Sequence, residues 1–156
     1  MNLDLSGKTA IVCGSTQGIG KATALQLAKM GANIVLVARN EVKLASVKDE
    51  LDISKGQKHN YIITDFNFPA ELKLRVEAFI KENGPAHILV NNTGGPPGGT
   101  AIAAPTDEYT SAFNMHLISN QCLAQAVVEG MKSEGYGRII NVISTSVKQP
   151  LNGLGV

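Results

Sequence analysis

Cysteine is scarce in this chain. Only Cys13 and Cys122 occur, neither within a CxxC spacing nor paired with histidine. A disulfide framework and the common zinc spacings are thereby excluded; no metal site is expected, and both thiols read as buried groups in a reducing, cytoplasmic compartment. An excess of one charge is missing too. Lysine and arginine number 14 against 13 acidic residues, a formal net charge of +1 with no basic block or stripe, so nothing in the charge pattern marks a nucleic-acid partner. No apolar run approaches the ~20 residues of a membrane span, and the opening MNLDLSGKTA lacks the basic and apolar regions of a signal peptide. Internal repeats and low-complexity tracts are absent as well. What remains, 44% apolar and 17% charged residues over 156 positions, is the composition of an ordinary globular protein with one domain, residues 1–156, and a core of its own.

Short β-branched runs alternate with longer segments of helical period. TAIVCG (9–14) is apolar without polar alternation, the pattern of a strand covered on both faces. From Gly18 to Met30 the apolar residues keep helical spacing, and Gly31 is a natural stop. The cycle repeats: NIVLVA (33–38) as a strand, 41–51 as a charged helix, YIIT (61–64) as a strand, and Pro69 to Asn83 as a helix with proline at its start. HILVN (87–91) reads as a fourth strand. After the Gly/Pro-rich TGGPPGGTAIAAP, Thr106 is the expected N-cap of a long helix reaching Glu134, and RIINVI (138–143) reads as a fifth strand. Strands separated by helices require crossover connections and a parallel sheet. The expectation is an α/β, doubly wound parallel sheet of order 3-2-1-4-5.

In such a sheet a ligand binds beyond the carboxyl ends of the strands, where the order reverses. There the sequence reads CGSTQGIG (13–20). Gly14 permits a sharp turn off the strand, Gly18 a close approach of backbone to a pyrophosphate at a helix N-terminus, and Gly20 close packing of helix on sheet. With Ser15, Thr16, Gln17 and Ile19 between them, these glycines form the candidate cofactor-binding loop. The bland alternative is a glycine-rich turn with no ligand. Cofactor choice follows from the end of the second strand, where VARN replaces the acidic residue that would bind a ribose 2′-hydroxyl. Arg39 offers a guanidinium fork suited to a phosphate, so NADP(H) is expected over NAD(H), with Asn40 and Ser15 or Thr16 as helpers.

The glycine spacing is GxxxGxG rather than GxGxxG, and here the chain resembles the short-chain dehydrogenase/reductase family, whose motif is TGxxxGIG with threonine where Cys13 stands. The resemblance extends over essentially the whole chain and implies a Rossmann fold. It implies an adenine contact for Asp65 in ITDF. It matches NNTG (Asn91, Asn92, Thr93, Gly94) to the family's NNAG, with Thr93 in place of alanine. Asn114 in FNMHLIS takes the place of the asparagine that holds a relay water, and Ser144 in GRIINVIS that of the serine that hydrogen-bonds the substrate oxygen. A tyrosine and a lysine four residues later complete the family's catalytic set, yet no YxxxK occurs: Tyr61, Tyr109 and Tyr136 are followed at that distance by Asp65, Phe113 and Ile140. The resemblance therefore implies an NADPH-dependent reductase of a small carbonyl or alcohol substrate, similar to 3-oxoacyl-acyl-carrier-protein reductases. The 156 residues are then expected to be a cofactor-binding portion truncated after strand five, with little activity. A homo-oligomer is expected from the resemblance. The alternative is a non-catalytic dinucleotide-binding sensor or assembly protein.

Overall fold

A computed structural model describes residues 3–149 and 151–156. In chain order the elements are β1 (Thr9–Cys13), α1 (Gly18–Lys29), β2 (Asn33–Ala38), α2 (Glu41–Asp49), β3 (Asn60–Ile63), α3 (Pro69–Asn83), β4 (Ile88–Asn91), α4 (Thr106–Phe113), a π-turn (Asn114–Ile118), α5 (Ser119–Ser133), β5 (Arg138–Asn141) and a short 3-10 turn (Thr145–Val147). The strands form one parallel sheet in the order β3-β2-β1-β4-β5, as expected from the alternation of strands and helices. Register is fixed by pairs such as Val12 opposite Leu36 and Ile11 opposite Leu89.

Successive strand residues point to opposite faces, so an uninterrupted apolar strand builds two cores at once. Ala10 and Val12 of β1, with Ile34 and Leu36 of β2, pack under Ala24 and Ala28 of α1 and Leu44 and Val47 of α2. Ile11 and Cys13, with Val35 and Val37, pack on the other face under Leu72 and Val76 of α3 and Leu123, Val127 and Met131 of α5. Both layers leave the carboxyl ends of β1, β2 and β4 free to build a site.

Gly31, at φ +100°, ends α1 as expected: its N–H donates to Ala28 and the Ala32 N–H to Leu27, satisfying carbonyls the helix leaves open. Elsewhere the fold departs from expectation. The segment 106–134 is not one regular helix, because the π-turn interrupts it. Its N-cap position is held by Pro105 in extended conformation with no side-chain cap, which places Thr106 inside the first turn. The fifth strand ends at Asn141 rather than Ile143. It is the sheet edge, and its Ile139 and Ile140 are exposed.

Candidate functional site

Two adjoining cavities open at the carboxyl end of the sheet. The first, about 870 Å³, is lined by the β1–α1 turn, the start of α2, the segment after β3 and the segment after β4. The second, about 640 Å³, lies between the β4 loop, the π-turn and the segment after β5. Asn92, Thr93, Gly95 and Ile19 line both.

The turn that floors the first cavity depends on its glycines. Gly14 and Gly18 take φ of +58° and +55°, values that L side chains rarely adopt. A Cβ on Gly14 would stand 2.5 Å from the Asn92 carbonyl oxygen, and one on Gly20 would overlap the Gly14 carbonyl oxygen, whereas one on Gly18 would meet nothing within 4 Å. Gly14 and Gly20 thus hold strand, helix and Asn92 together, and Gly18 leaves open space at the mouth of the helix. Asn92 locks this arrangement: its Nδ2 donates to the carbonyls of Cys13 and Gly14. The α1 N-terminus, at Gln17, has no side-chain cap. Its unsatisfied N–H groups and the helix dipole there favour an anion.

The mouth of the first cavity carries Arg39, Asn40, Lys43 and Asp65. The Arg39 side chain is 70% exposed and stands 3.7 Å from Asp65 Oδ2. Asp65 Oδ1 accepts from the backbone and side chain of Asn67, and Ser111 Oγ donates to Asn67 Oδ1 at 2.6 Å, tying α4 to the segment after β3. Asn40 caps α2 by accepting the Lys43 N–H. Thr16, Gln17, Gly18, Ile19, Thr93 and Gly94 join the same wall.

Three expected site residues are placed differently. Ser15 is fully buried, and its hydroxyl accepts the Val37 N–H at 3.0 Å. β1 has ended at Cys13, the register partner of Val37, so the hydroxyl fastens the turn that follows β1 to β2. Ser15 is therefore spent on the sheet and does not line the first cavity. Asn91 is also buried, its Nδ2 donating to Asn141 Oδ1 across to β5; it lines the second cavity only. Asn114 opens the π-turn and lines neither cavity. On this helical segment Ser111 and Met115 reach the first cavity, while Ala112, His116 and Asn120 reach the second. Asn114 follows neither row.

Ser144 does line the second cavity. Its Oγ accepts from the Ser146 N–H at 3.1 Å and lies 2.7 Å from Ser146 Oγ. Two contributors escaped the sequence reading. Lys43 joins Arg39 at the first cavity. His116 lines the second, with Nδ1 2.8 Å from Thr93 Oγ1; burial pushes its pKa below the ordinary imidazole value, against an opposing effect of the Gly94 backbone. The signal available for His116 was Thr93, a hydroxyl where the resemblance has alanine. Among the described residues no group of three or more His, Cys, Asp or Glu side chains could hold a metal, and no helix is long and apolar enough to cross a membrane.

A family profile described as short chain dehydrogenase matches residues 8–156. The 3-oxoacyl-(acyl-carrier-protein) reductase of Vibrio cholerae is 35% identical over 141 residues, covering 90% of this chain and 56% of its own length. The human inactive hydroxysteroid dehydrogenase-like protein 1 is 32% identical over 148 residues, covering 92% and 44%. L-Sorbose reductase from Gluconobacter frateurii, solved with NADPH and L-sorbose, superposes with a TM-score of 0.89 at 34% identity, over 97% of this chain and 57% of that one. The chain thus spans about half the length of the curated relatives it matches. A parallel sheet in the order of a dinucleotide fold, a glycine turn under an uncapped helix and a profile match over nearly every residue agree: this chain belongs to the short-chain dehydrogenase family.

Proposed function

We propose that the protein is the cofactor-binding part of an oxidoreductase that takes NADPH in preference to NADH and acts on a small carbonyl or alcohol. The observation that carries this reading is the pairing of an uncapped helix N-terminus with an arginine at the end of β2. The first suits a pyrophosphate. The second suits a 2′-phosphate, which a carboxylate in its place would repel. The space left beside Gly18 and a volume of about 870 Å³ fit a ligand of this kind.

In this reading Thr16, Gln17, Gly18 and Ile19 hold the pyrophosphate end, Arg39 and Asn40 the 2′-phosphate, Asp65 the adenine, and Asn92, Thr93 and Gly94 the segment toward the second cavity. The cofactor, once bound, supplies hydride transfer; the protein orients it and keeps competing water out. Ser144, on the wall of the second cavity, is the proposed donor to the substrate oxygen. A relative that acts on 3-oxoacyl groups and a neighbour that holds NADPH and a sugar support this substrate class.

The test is a pair of dissociation constants, for NADPH and NADH, on the wild-type chain and on Arg39→Ala. A hydrogen bond to a charged group contributes about 1.5–3 kcal/mol. Arg39→Ala should therefore weaken NADPH by roughly 10- to 150-fold and leave NADH nearly unchanged. Equal losses for both, or none, would remove the 2′-phosphate assignment. A second reading, cofactor binding without turnover in a sensor or assembly protein, draws on two facts: no tyrosine here is followed by lysine at the fourth position, and one relative is itself named inactive. Stoichiometric NADPH binding with no NADPH consumption across a panel of ketones would favour it.

A further inference from the structure

The second cavity holds a polar side chain, His116, to which the proposed reaction gives no role. Thr93 and His116 meet on its wall, Oγ1 to Nδ1 at 2.8 Å. Thr93 also lines the first cavity, so it stands at the junction of the two. Two buried polar atoms of residues on the same wall lack a hydrogen-bond partner: His116 Nε2, and Oδ1 of Asn91, itself only 1% exposed. Buried polar atoms are ordinarily satisfied. An orphaned pair beside an open cavity marks a network that water or a ligand completes. The π-turn puts His116 in this place, and wide turns of this kind concentrate at functional sites.

We infer that His116 is a positioning residue that sets the direction of the Thr93 hydroxyl at the junction between the cofactor and substrate cavities. The inference rests on the reading of the first cavity as the NADP(H) site. A neutral ring protonated at Nε2 accepts the Thr93 hydroxyl at Nδ1, and the threonine oxygen then offers a lone pair to the junction. An imidazolium donates from both nitrogens. The same contact must then run the other way, with Nδ1–H donating to Oγ1 and the hydroxyl proton turned outward. One proton gained at His116 converts Thr93 from an acceptor to a donor.

The surroundings leave this titration to His116 itself. Among the described residues that line the second cavity it is the only titratable side chain. The loop 92–105 carries no charged residue. Of the helices packed on the π-turn, α3 pairs Arg75 with Glu71 and Lys73 with Glu77, and α5 pairs Lys132 with Glu129 at its far end. α4 has Asp107 and Glu108 in its first turn. Beyond β5, Lys148 is the one charge in 142–149. None of these charges is among the influences on the ring, which are burial and the Gly94 backbone.

The experiment is an NMR titration of the three histidines, His59, His87 and His116, with and without saturating NADP+, the His116 signal being assigned from its loss in His116→Gln. NADP+ should move the His116 midpoint by about half a pH unit and leave His59 and His87 in place. By linkage, NADP+ affinity should differ about threefold between the two sides of that titration. The movement should vanish in Thr93→Val and persist in Thr93→Ser, which keeps the hydroxyl. Saturable binding with an unmoved His116 midpoint, or a movement that survives Thr93→Val, would overturn this inference and leave the cofactor reading standing. No binding of NADP+ at all would overturn both.

Discussion

Replacing Gly20 by alanine tests the most constrained contact in the site. Gly20 lies in the first turn of α1, where alanine is the better helix former by about 1 kcal/mol, so a purely local view predicts stabilisation. The added methyl, however, would overlap the Gly14 carbonyl oxygen and stand 2.8 Å from its carbon and 2.9 Å from Asn92 Nδ2. Two of these neighbours are backbone and cannot swing away. Overpacking of this kind costs about 1–3 kcal/mol, here toward the upper end, which leaves a net loss of about 2 kcal/mol after the gain in helix propensity. In a chain of this length that lowers the melting temperature by about 4–8 °C. Differential scanning calorimetry should show it, with two companions for scale. Gly14→Ala adds the penalty of its positive φ and should fall at least as far. Gly94→Ala, whose methyl would meet nothing within 4 Å, should melt within a degree or two of wild type. A Gly20→Ala protein that melts with Gly94→Ala would refute the claim that strand, helix and Asn92 are held at contact distance.

Ser15→Ala removes a buried hydroxyl that accepts the Val37 N–H and should cost about 0.5–1.5 kcal/mol in urea unfolding; NADPH affinity should change little, since Ser15 does not line the cavity. Acid should weaken the fold through two imidazoles. Burial, with the nearby Lys8 charge, lowers His87, and burial lowers His116, both from 6.5. The unfolded chain therefore takes up these protons first as pH falls: stability is fully present above about pH 6.5 and is lost as pH drops through that value toward the folded pKa values. Urea midpoints between pH 8 and pH 5 should follow that course, and His87→Gln should flatten it. The Cys13 thiol, fully buried and pushed up to about 12 by desolvation, should resist a thiol reagent at pH 8 until the protein unfolds. Partly exposed Cys122 should react first; two equally fast thiols would contradict the core described here.

The central sheet was legible because β1, β2 and β4 are short, uninterrupted apolar runs. A residue pattern that must satisfy two faces at once has few other solutions. Helix ends were legible where a glycine stands at the stop, as at Gly31. Less legible was anything decided by what lies across space. The π-turn leaves no mark in the one-dimensional pattern, because 106–134 has helical periodicity throughout. Asn114 was named from its motif; the structure sets it on neither cavity wall, while His116 lines the second. Ser15 is a related case: a hydroxyl in a glycine loop looks ready for a phosphate, and only the folded chain shows it accepting the Val37 N–H of β2. Thr106 resembled a cap, but the chain turns into the helix at Pro105.

The segment from Thr106 to Ser133 runs as α4, π-turn and α5, presenting Ser111 and Met115 to one cavity and His116 and Asn120 to its neighbour. One helical segment thus walls both cavities, with neighbours in sequence, Ser111 and Ala112 or Met115 and His116, serving different ones.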